Sequence, residues 1–344
     1  MLLKSYFIIL KRFVAVLAFL PILFLDIFKY KFLFKKNSKI SYIVLLNLYF
    51  LFGKIALNWI NFFLSNKKEI YNYNNIISSN LYPLKFKRKK IYKDLVCKGL
   101  SIQKKILDSK FCDSLIKQIK NTPGYWQTEG KILLRNSYVD EKKNKATIFR
   151  YSPNELIKNL NIQDLVTNID ILKIAESYLN SLPIIDYVES WWSFPSKKKD
   201  HYAAQEWHYD MDRTKWIKVF FFLKDVNLNN GPHVFLKYSH EQKMLPIKLR
   251  LKGYIRLNDL EISNNFNLKN IKLVTGKKGD ILFEDTIGLH KGERVKSENR
   301  LILQFQYSSS LFGSKTNKIN TPIKISNNFK NIRSIYPKIF GNFT

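Results

Sequence analysis

The hydrophobic pattern divides the chain into three textures. Over the first 65 residues apolar positions run together, broken only by isolated Lys and Arg. Phe13–Leu25 and Ile40–Gly53 are the longest such runs, at 13 and 14 residues. Both fall short of the ~20 residues with which a straight helix crosses a bilayer, and Pro21 interrupts the first. Lys11 and Arg12 split the apolar region and no small-residue cleavage site follows, which argues against a secretory signal. From about Ile102 the period turns helical. Asp108 or Ser109 caps a predicted helix whose Phe111, Leu115, Ile116 and Ile119 share one face, and Thr122–Trp126 stops it. Asn154 to Ser181 supplies one or two more helices, with Pro183 just beyond.

After Pro183 the pattern shortens. Ile184–Phe194, Trp216–Val226, the His233 run, Asp280–Asp285 and the run opening at Arg300 are brief, β-branched and aromatic. Turn residues such as Asn229-Asn230-Gly231-Pro232 separate them. Helices first and strands later predict an α+β chain whose second half is a β-sandwich or barrel. The expected organisation is an apolar, basic helical extension over residues 1–100, a globular unit over 101–320 and a C-terminal tail over 321–344.

Composition narrows the class. Of 344 residues 46% are hydrophobic and 15% aromatic, with 12 Gly and 10 Pro, which excludes a disordered or low-complexity chain. Two cysteines, Cys97 and Cys112, make no disulfide framework. The net charge of +31 is large enough to suggest nucleic acid or an anionic membrane. Lysine follows Asn, Ile, Phe and Tyr throughout the chain, and no zinc finger, aromatic RNA-binding strand or P-loop accompanies it, so no nucleic acid is expected. The densest cluster, Lys85–Lys90, suits anionic headgroups, RNA or a solvated linker. The N-terminal segment then has three readings: interfacial helices on a membrane, a helical layer packed on the rest of the protein, or a short or tilted span. The basic cluster favours the first, and the expected location is cytoplasmic, peripheral at the inner face of a membrane.

The chemistry lies in the β-rich half. Among five histidines, His208 stands two residues before Asp210, and on a strand such residues point to the same face. An imidazole and a carboxylate aimed at one point are two thirds of the facial triad of non-haem Fe(II) oxygenases, and His290, 80 residues further on, is the natural third ligand. Two neutral imidazoles and one carboxylate hold Fe(II) on one face and leave positions for a bidentate co-substrate and O₂. Ten residues after His290 comes Arg300, whose guanidinium fork suits the distal carboxylate of 2-oxoglutarate.

In combination, "WHYDMD" (from Trp207), "IKVFFFLKDV" (from Ile217), "NNGPHVFLKYSH" (from Asn229), "GDILFEDTIGLHKG" (from Gly279) and "RLILQFQYS" (from Arg300) resemble the phytanoyl-CoA dioxygenase family, over roughly residues 105 to 312. The resemblance implies a double-stranded β-helix, a jelly-roll core with flanking helices. It implies His208, Asp210 and His290 as iron ligands, Arg300 on 2-oxoglutarate, and O₂ as oxidant. Arg294 lies nearer His290 than the family's arginine normally does. Trp192, Gln205, Trp207 and Phe220 are candidate pocket residues, with a plain core role for Phe220 favoured. His240 is expected to be structural, and His233 and His201 to be ordinary polar residues. Lys237-Tyr238 replaces the family's usual Pro-Gly, altering a turn but removing no ligand. Halogenating relatives lack the carboxylate that Asp210 supplies, so hydroxylation is the expected reaction. The substrate would be a small or a lipid- or sugar-linked metabolite. The alternatives are a non-catalytic jelly-roll binding protein and a charge-driven membrane-surface binder.

Overall fold

The computed structural model describes residues 2–33, 36–70, 84–142, 146–197, 204–241, 245–254, 256–315 and 317–344; His201 lies outside them. Four layers stack in space. Three N-terminal helices come first: α1 (Leu2–Leu33), α2 (Lys39–Phe52) and α3 (Lys54–Leu64). Then come α4 (Arg88–Lys98), β1 (Leu100–Gln103), α5 (Ser109–Lys120), β2 (Gly124–Thr128), β3 (Lys131–Ser137) and β4 (Ile148–Tyr151). Helices α6 (Pro153–Leu156), α7 (Leu160–Val166) and α8 (Ile169–Leu179) follow. The second half holds β5 (Ile184–Ser193), β6 (Trp216–Phe222), β7 (His233–Leu236), α9 (Ile247–Leu251), α10 (Asp259–Asn265), β8 (Ile271–Val274), β9 (Ile281–Glu284), β10 (His290–Gly292), β11 (Arg300–Ser308) and α11 (Asn327–Ile335).

The strands form two antiparallel sheets. The major one has the order β1-β9-β6-β11-β5-β4-β2-β3, and the minor one β10-β7-β8. Facing each other, they make the expected jelly roll. Strand alternation sorts the side chains into three cores. Val219 and Phe221 of β6, with Leu303 and Phe305 of β11, point outward and pack under α5, α7, α8 and α11. Phe220 and Phe222, with Leu282 and Ile302, point inward and meet Phe235 of the minor sheet. Val234, Leu236 and Leu289 leave the far side of the minor sheet and pack against α1–α3. An apolar residue buried in this way contributes about 1.5–3 kcal/mol, so each layer is held by several such contacts.

Local signals place the elements. Of the two caps the sequence offers, Asp108 caps α5, accepting from the N–H of Lys110 and Phe111, and Ser109 is the first helical residue. Gly53, with φ 67°, ends α2 and opens α3, a conformation that favours glycine. Pro21 does not interrupt α1, which runs 32 residues without a break. The carbonyl that loses its helical donor belongs to Leu17, on the exposed side of the helix, where water can serve it. The stretch Tyr6–Leu33 thus meets the length and composition for crossing a bilayer, unlike the shorter run read from the sequence. Yet its inner face is packed: Val16 and Leu23 are buried with the minor sheet's outer residues, and Arg12 Nη2 donates to the carbonyl of Leu251 at 3.0 Å. Residues 321–344, read as a tail, carry Phe329, Ile332, Tyr336 and Phe340 into the main core.

Candidate metal centre

His208 and His290 meet through an isolated antiparallel bridge, each N–H donating to the other's carbonyl, at 3.0 and 2.9 Å. This pairing prolongs the minor sheet and sets both rings on its inner side. Asp210 follows two residues on, and its N–H donates to the carbonyl of Thr286 at 2.8 Å. The ligand atoms of the three residues lie within 4.8 Å of one another. His208 Nε2 is 4.0 Å from Asp210 Oδ1, and His290 Nε2 is 3.7 Å from Asp210 Oδ2. Each ring sends Nδ1 to a main-chain carbonyl, of Glu206 at 2.8 Å and of Gly288 at 2.9 Å. With Nδ1–H donating, Nε2 keeps its lone pair and faces the common point.

Electrostatics suits a cation. Burial holds both imidazoles neutral, pushing His208 down and His290 down to about 3. Burial pushes Asp210 up, but the charge and hydrogen bond of Lys218 lead the opposing influences and hold its carboxyl well below the usual range. Two neutral nitrogens and one ionised oxygen converging on a point are a fit donor set for a divalent ion with borderline ligands. Lys218 Nζ donates to Asp210 Oδ2 at 2.7 Å, from β6 across the sheets. It fixes the carboxylate plane and leaves Oδ1 toward His208.

The triad sits in a cavity of about 220 Å³ between the sheets. Arg300 of β11 lines it too, partly buried, with its Nε shielded from solvent. Its Nη2 lies 3.3 Å from Ser193 Oγ, its Nε has no partner, and no described carboxylate pairs with it. Burial alone pushes it down to about 10. A partly shielded guanidinium without a counter-charge is a costly arrangement that an anion would relieve. Arg294 instead donates to the carbonyl of Ser196 and does not line the cavity.

Alternation places the other expected pocket residues. Phe220 is on the wall, its ring centroid 5.6 Å from that of His233. Trp192 is not: it lies in the outer core and donates from Nε1 to Tyr151 Oη at 3.0 Å, while its neighbour Trp191 takes the wall. Trp207 adjoins His208 and therefore points the other way, into the layer of α1–α3, with Nε1 on Asp259. Gln205 is buried off the wall, where Ala204 stands.

Sequence reasoning missed four contributors. Lys218 and Gln304 share the inward alternation of Phe220 and Arg300, a signal that was available once the strand faces were known. His233 and Glu284 had none. They form a buried pair, with His233 Nε2 2.9 and 2.8 Å from the two carboxyl oxygens. Burial raises Glu284 to about 8 and lowers His233 to about 3, so the pair is a neutral acid donating to a neutral imidazole. His240 is structural as expected, bonded to the carbonyl of Val96 at 3.0 Å and away from the cavity.

The structure is similar to the nogalamycin-pathway epimerase SnoN bound to Fe³⁺ and α-ketoglutarate, at 15% identity over 64% of this chain and 83% of that one, TM-score 0.45. It is also similar to HygX from Streptomyces hygroscopicus with nickel and 2-oxoglutarate bound, at 13% identity over 67% and 90%, TM-score 0.48. No curated protein matches the sequence. A family model described as phytanoyl-CoA dioxygenase matches residues 97–301, more than half of the chain and all of the triad and Arg300. The chain belongs to the phytanoyl-CoA dioxygenase family of iron- and 2-oxoglutarate-dependent oxygenases.

Proposed function

We propose that this protein is a hydroxylase, with His208, Asp210 and His290 holding Fe(II) and Arg300 binding the distal carboxylate of 2-oxoglutarate. The observation that carries the proposal is the pairing, in one cavity, of a converged His-Asp-His triad with a partly buried, uncompensated guanidinium. The bound metal supplies activation of O₂ coupled to decarboxylation of the co-substrate to succinate. The chain supplies positioning. Glu206 and Gly288 carbonyls fix the tautomer of the two imidazoles, Lys218 orients Asp210, and Arg300 with Ser193 sets the far end of the co-substrate. Phe220, Phe222, Val226 and Ile302 line the cavity with apolar surface and exclude water from the reacting centre. Asp210 completes the ligand set, which supports hydroxylation over halide transfer.

The substrate approaches from the side of β4 and β5. There Arg150, Glu189 and Trp191 line the cavity, with Arg150 5.6 Å above the Trp191 ring. A cation, a carboxylate and an indole in a row suit a polyhydroxylated or charged metabolite, such as the head of a lipid- or sugar-linked molecule.

An anaerobic titration tests the reading. Fe(II) followed by 2-oxoglutarate should produce the visible charge-transfer absorption of a chelated complex. The band should vanish in His208→Ala and weaken in Arg300→Ala. A folded, iron-loaded protein without the band would instead be a non-catalytic jelly roll.

A further inference from the structure

The layer formed by α1–α3 has two sides, and only the inner one is accounted for. On α1, Val16, Leu20, Leu23 and Ile27 turn inward at helical spacing. Half a turn away, Phe7, Leu10, Val14, Leu25, Phe28 and Phe32 stand in water. On α3 the inner residues are Leu57, Ile60 and Leu64, and the outer ones Ile55, Trp59, Phe62 and Phe63. Trp59 is 67% and Phe62 76% exposed. The two helices are neighbours, since Lys31 Nζ at the end of α1 donates to the carbonyl of Ser65 after α3 at 2.9 Å. Isolated apolar residues on a surface are ordinary; a continuous face of this kind marks an interaction site.

Charge selects the occupant. Residues 1–65 contain nine Lys and Arg and a single acidic residue, Asp26. Asp26 is turned inward, accepting from the N–H of Ser38 and from Ser41 Oγ, both at 2.6 Å. Beside the apolar face lies a cleft of about 960 Å³ between α3, α4 and α8, lined by Lys54, Lys68, Arg88, Lys89 and Lys215, with Glu241 as its carboxylate. Lys54 and Asn58 of the cleft are one position from Ile55 and Trp59 on the same helix, so the row lining the cleft and the apolar row lie about 100° apart, on adjacent sides of α3. Lys54 already pairs with Asp285 at 3.1 Å; among the described residues Lys68, Arg88, Lys89 and Lys215 have no carboxylate within ion-pair distance. Burial and the nearness of Lys54 push Lys215 down to about 8. Arg88 and Lys89 also open α4, whose N-terminus has no side-chain cap and no acidic residue in its first turn. Cations at that end oppose the helix dipole, an arrangement that an anion bound there reverses into a favourable one.

We propose that the outer face of α1 and α3 docks on an anionic phospholipid bilayer, with a lipid phosphate seated in the cleft of Lys68, Arg88, Lys89 and Lys215. The docking is in the plane of the membrane. Helix α1 is long enough to cross, but it is fastened along its length to the folded domain. Arg12 near one end holds Asn47 and the Leu251 carbonyl, and Tyr30 near the other accepts from the N–H of Leu311 at 2.7 Å. A crossing would strip these contacts and carry the charges of Arg12 and Asp26 into hydrocarbon, which disfavours it. Lying flat, the helix keeps them and gives its aromatic side to the acyl boundary.

Flotation of the full-length protein with vesicles tests this, comparing pure phosphatidylcholine with phosphatidylcholine partly replaced by phosphatidylglycerol. Wild type should float with the anionic vesicles and only weakly with the neutral ones. Each cation near the surface contributes about fivefold, so Lys68→Ala/Arg88→Ala/Lys89→Ala should lower anionic binding about a hundredfold. That variant removes charges that oppose the dipole of α4, so its melting temperature should not fall. Trp59→Glu/Phe62→Glu should abolish flotation on both vesicles, and the milder Trp59→Ala/Phe62→Ala should weaken it, with the thermal melt confirming the fold. Three results would overturn the proposal. They are no flotation of wild type, flotation indifferent to the triple substitution, and lipid-free self-association abolished by Trp59→Glu/Phe62→Glu, which would make a second copy the occupant.

Discussion

The cavity between the sheets and the outer side of α1–α3 reverse the usual distribution of polar and apolar groups in opposite ways. Around the cavity the protein holds Lys218, Asp210 and an uncompensated Arg300, with Glu284 fully buried behind His233. Outside it leaves Phe7, Phe28, Trp59 and Phe62 in water. Each arrangement costs folding free energy that the chain does not recover from itself. The contrast teaches where the molecule is open to completion from without: by a metal and an organic anion in the first region and, on the docking proposed above, by a lipid surface in the second.

The comparison breaks most sharply at the metal ligands. Asp210→Ala should reduce 2-oxoglutarate-dependent succinate release to background and remove the anaerobic band, while flotation on anionic vesicles stays intact. Next is Arg300→Ala. Losing charge-assisted hydrogen bonds of about 1.5–3 kcal/mol each should raise the 2-oxoglutarate requirement about a hundredfold, with metal affinity, read by tryptophan quenching with Mn²⁺, unchanged.

Glu284 sets a pH signature. In the fold it keeps its proton up to about 8, whereas an exposed glutamate loses it near about 4.3. Between those values the native state binds more protons than the unfolded chain, so stability falls as pH rises. His233 and His290, lowered to about 3, act oppositely, and their contribution is lost only as pH falls below the ordinary imidazole value of about 6.5. Asp212, raised to about 6, has finished titrating in the upper window. From about pH 6.5 to 8 the metal-free protein should therefore lose about 2 kcal/mol of stability in denaturant melts. Glu284→Gln, which can still donate to His233, should flatten that slope.

Smaller effects sharpen the contrast. Lys218→Met leaves Asp210 unoriented and should lower metal affinity about tenfold, measured by the same quenching titration. Trp59→Ala should change lipid-free stability by less than about 0.5 kcal/mol, because its ring packs little of the core, and yet reduce vesicle binding.

Strand alternation explains how much of the site was legible. His208 and Asp210 share a face because they are two apart, and their neighbours Trp207 and Tyr209 must then face α1–α3, as they do. The same rule exchanges Trp192 for Trp191 on the cavity wall. Which face of a strand is inner cannot be read locally where, as in β6, apolar residues stand on both faces, Val219 and Phe221 outward and Phe220 and Phe222 inward. Helix α1 was legible as apolar but not in its length, because the cost of Pro21 depends on whether the carbonyl of Leu17 faces water.

The sequence by itself determined the strand-rich second half, a helix over α5 with its cap at Asp108 or Ser109, the placing of His208 and Asp210 on one face, and the family. These rest on spacing and local chemistry, which the chain carries wherever it is folded. Tertiary structure decided the rest: that His290 bridges to His208, that Lys218 reaches Asp210 from the opposite sheet, that His233 meets Glu284, and that α1–α3 roof the minor sheet. These are contacts between residues far apart in the chain. Their free energy comes from burial that exists only once the sheets have closed on each other.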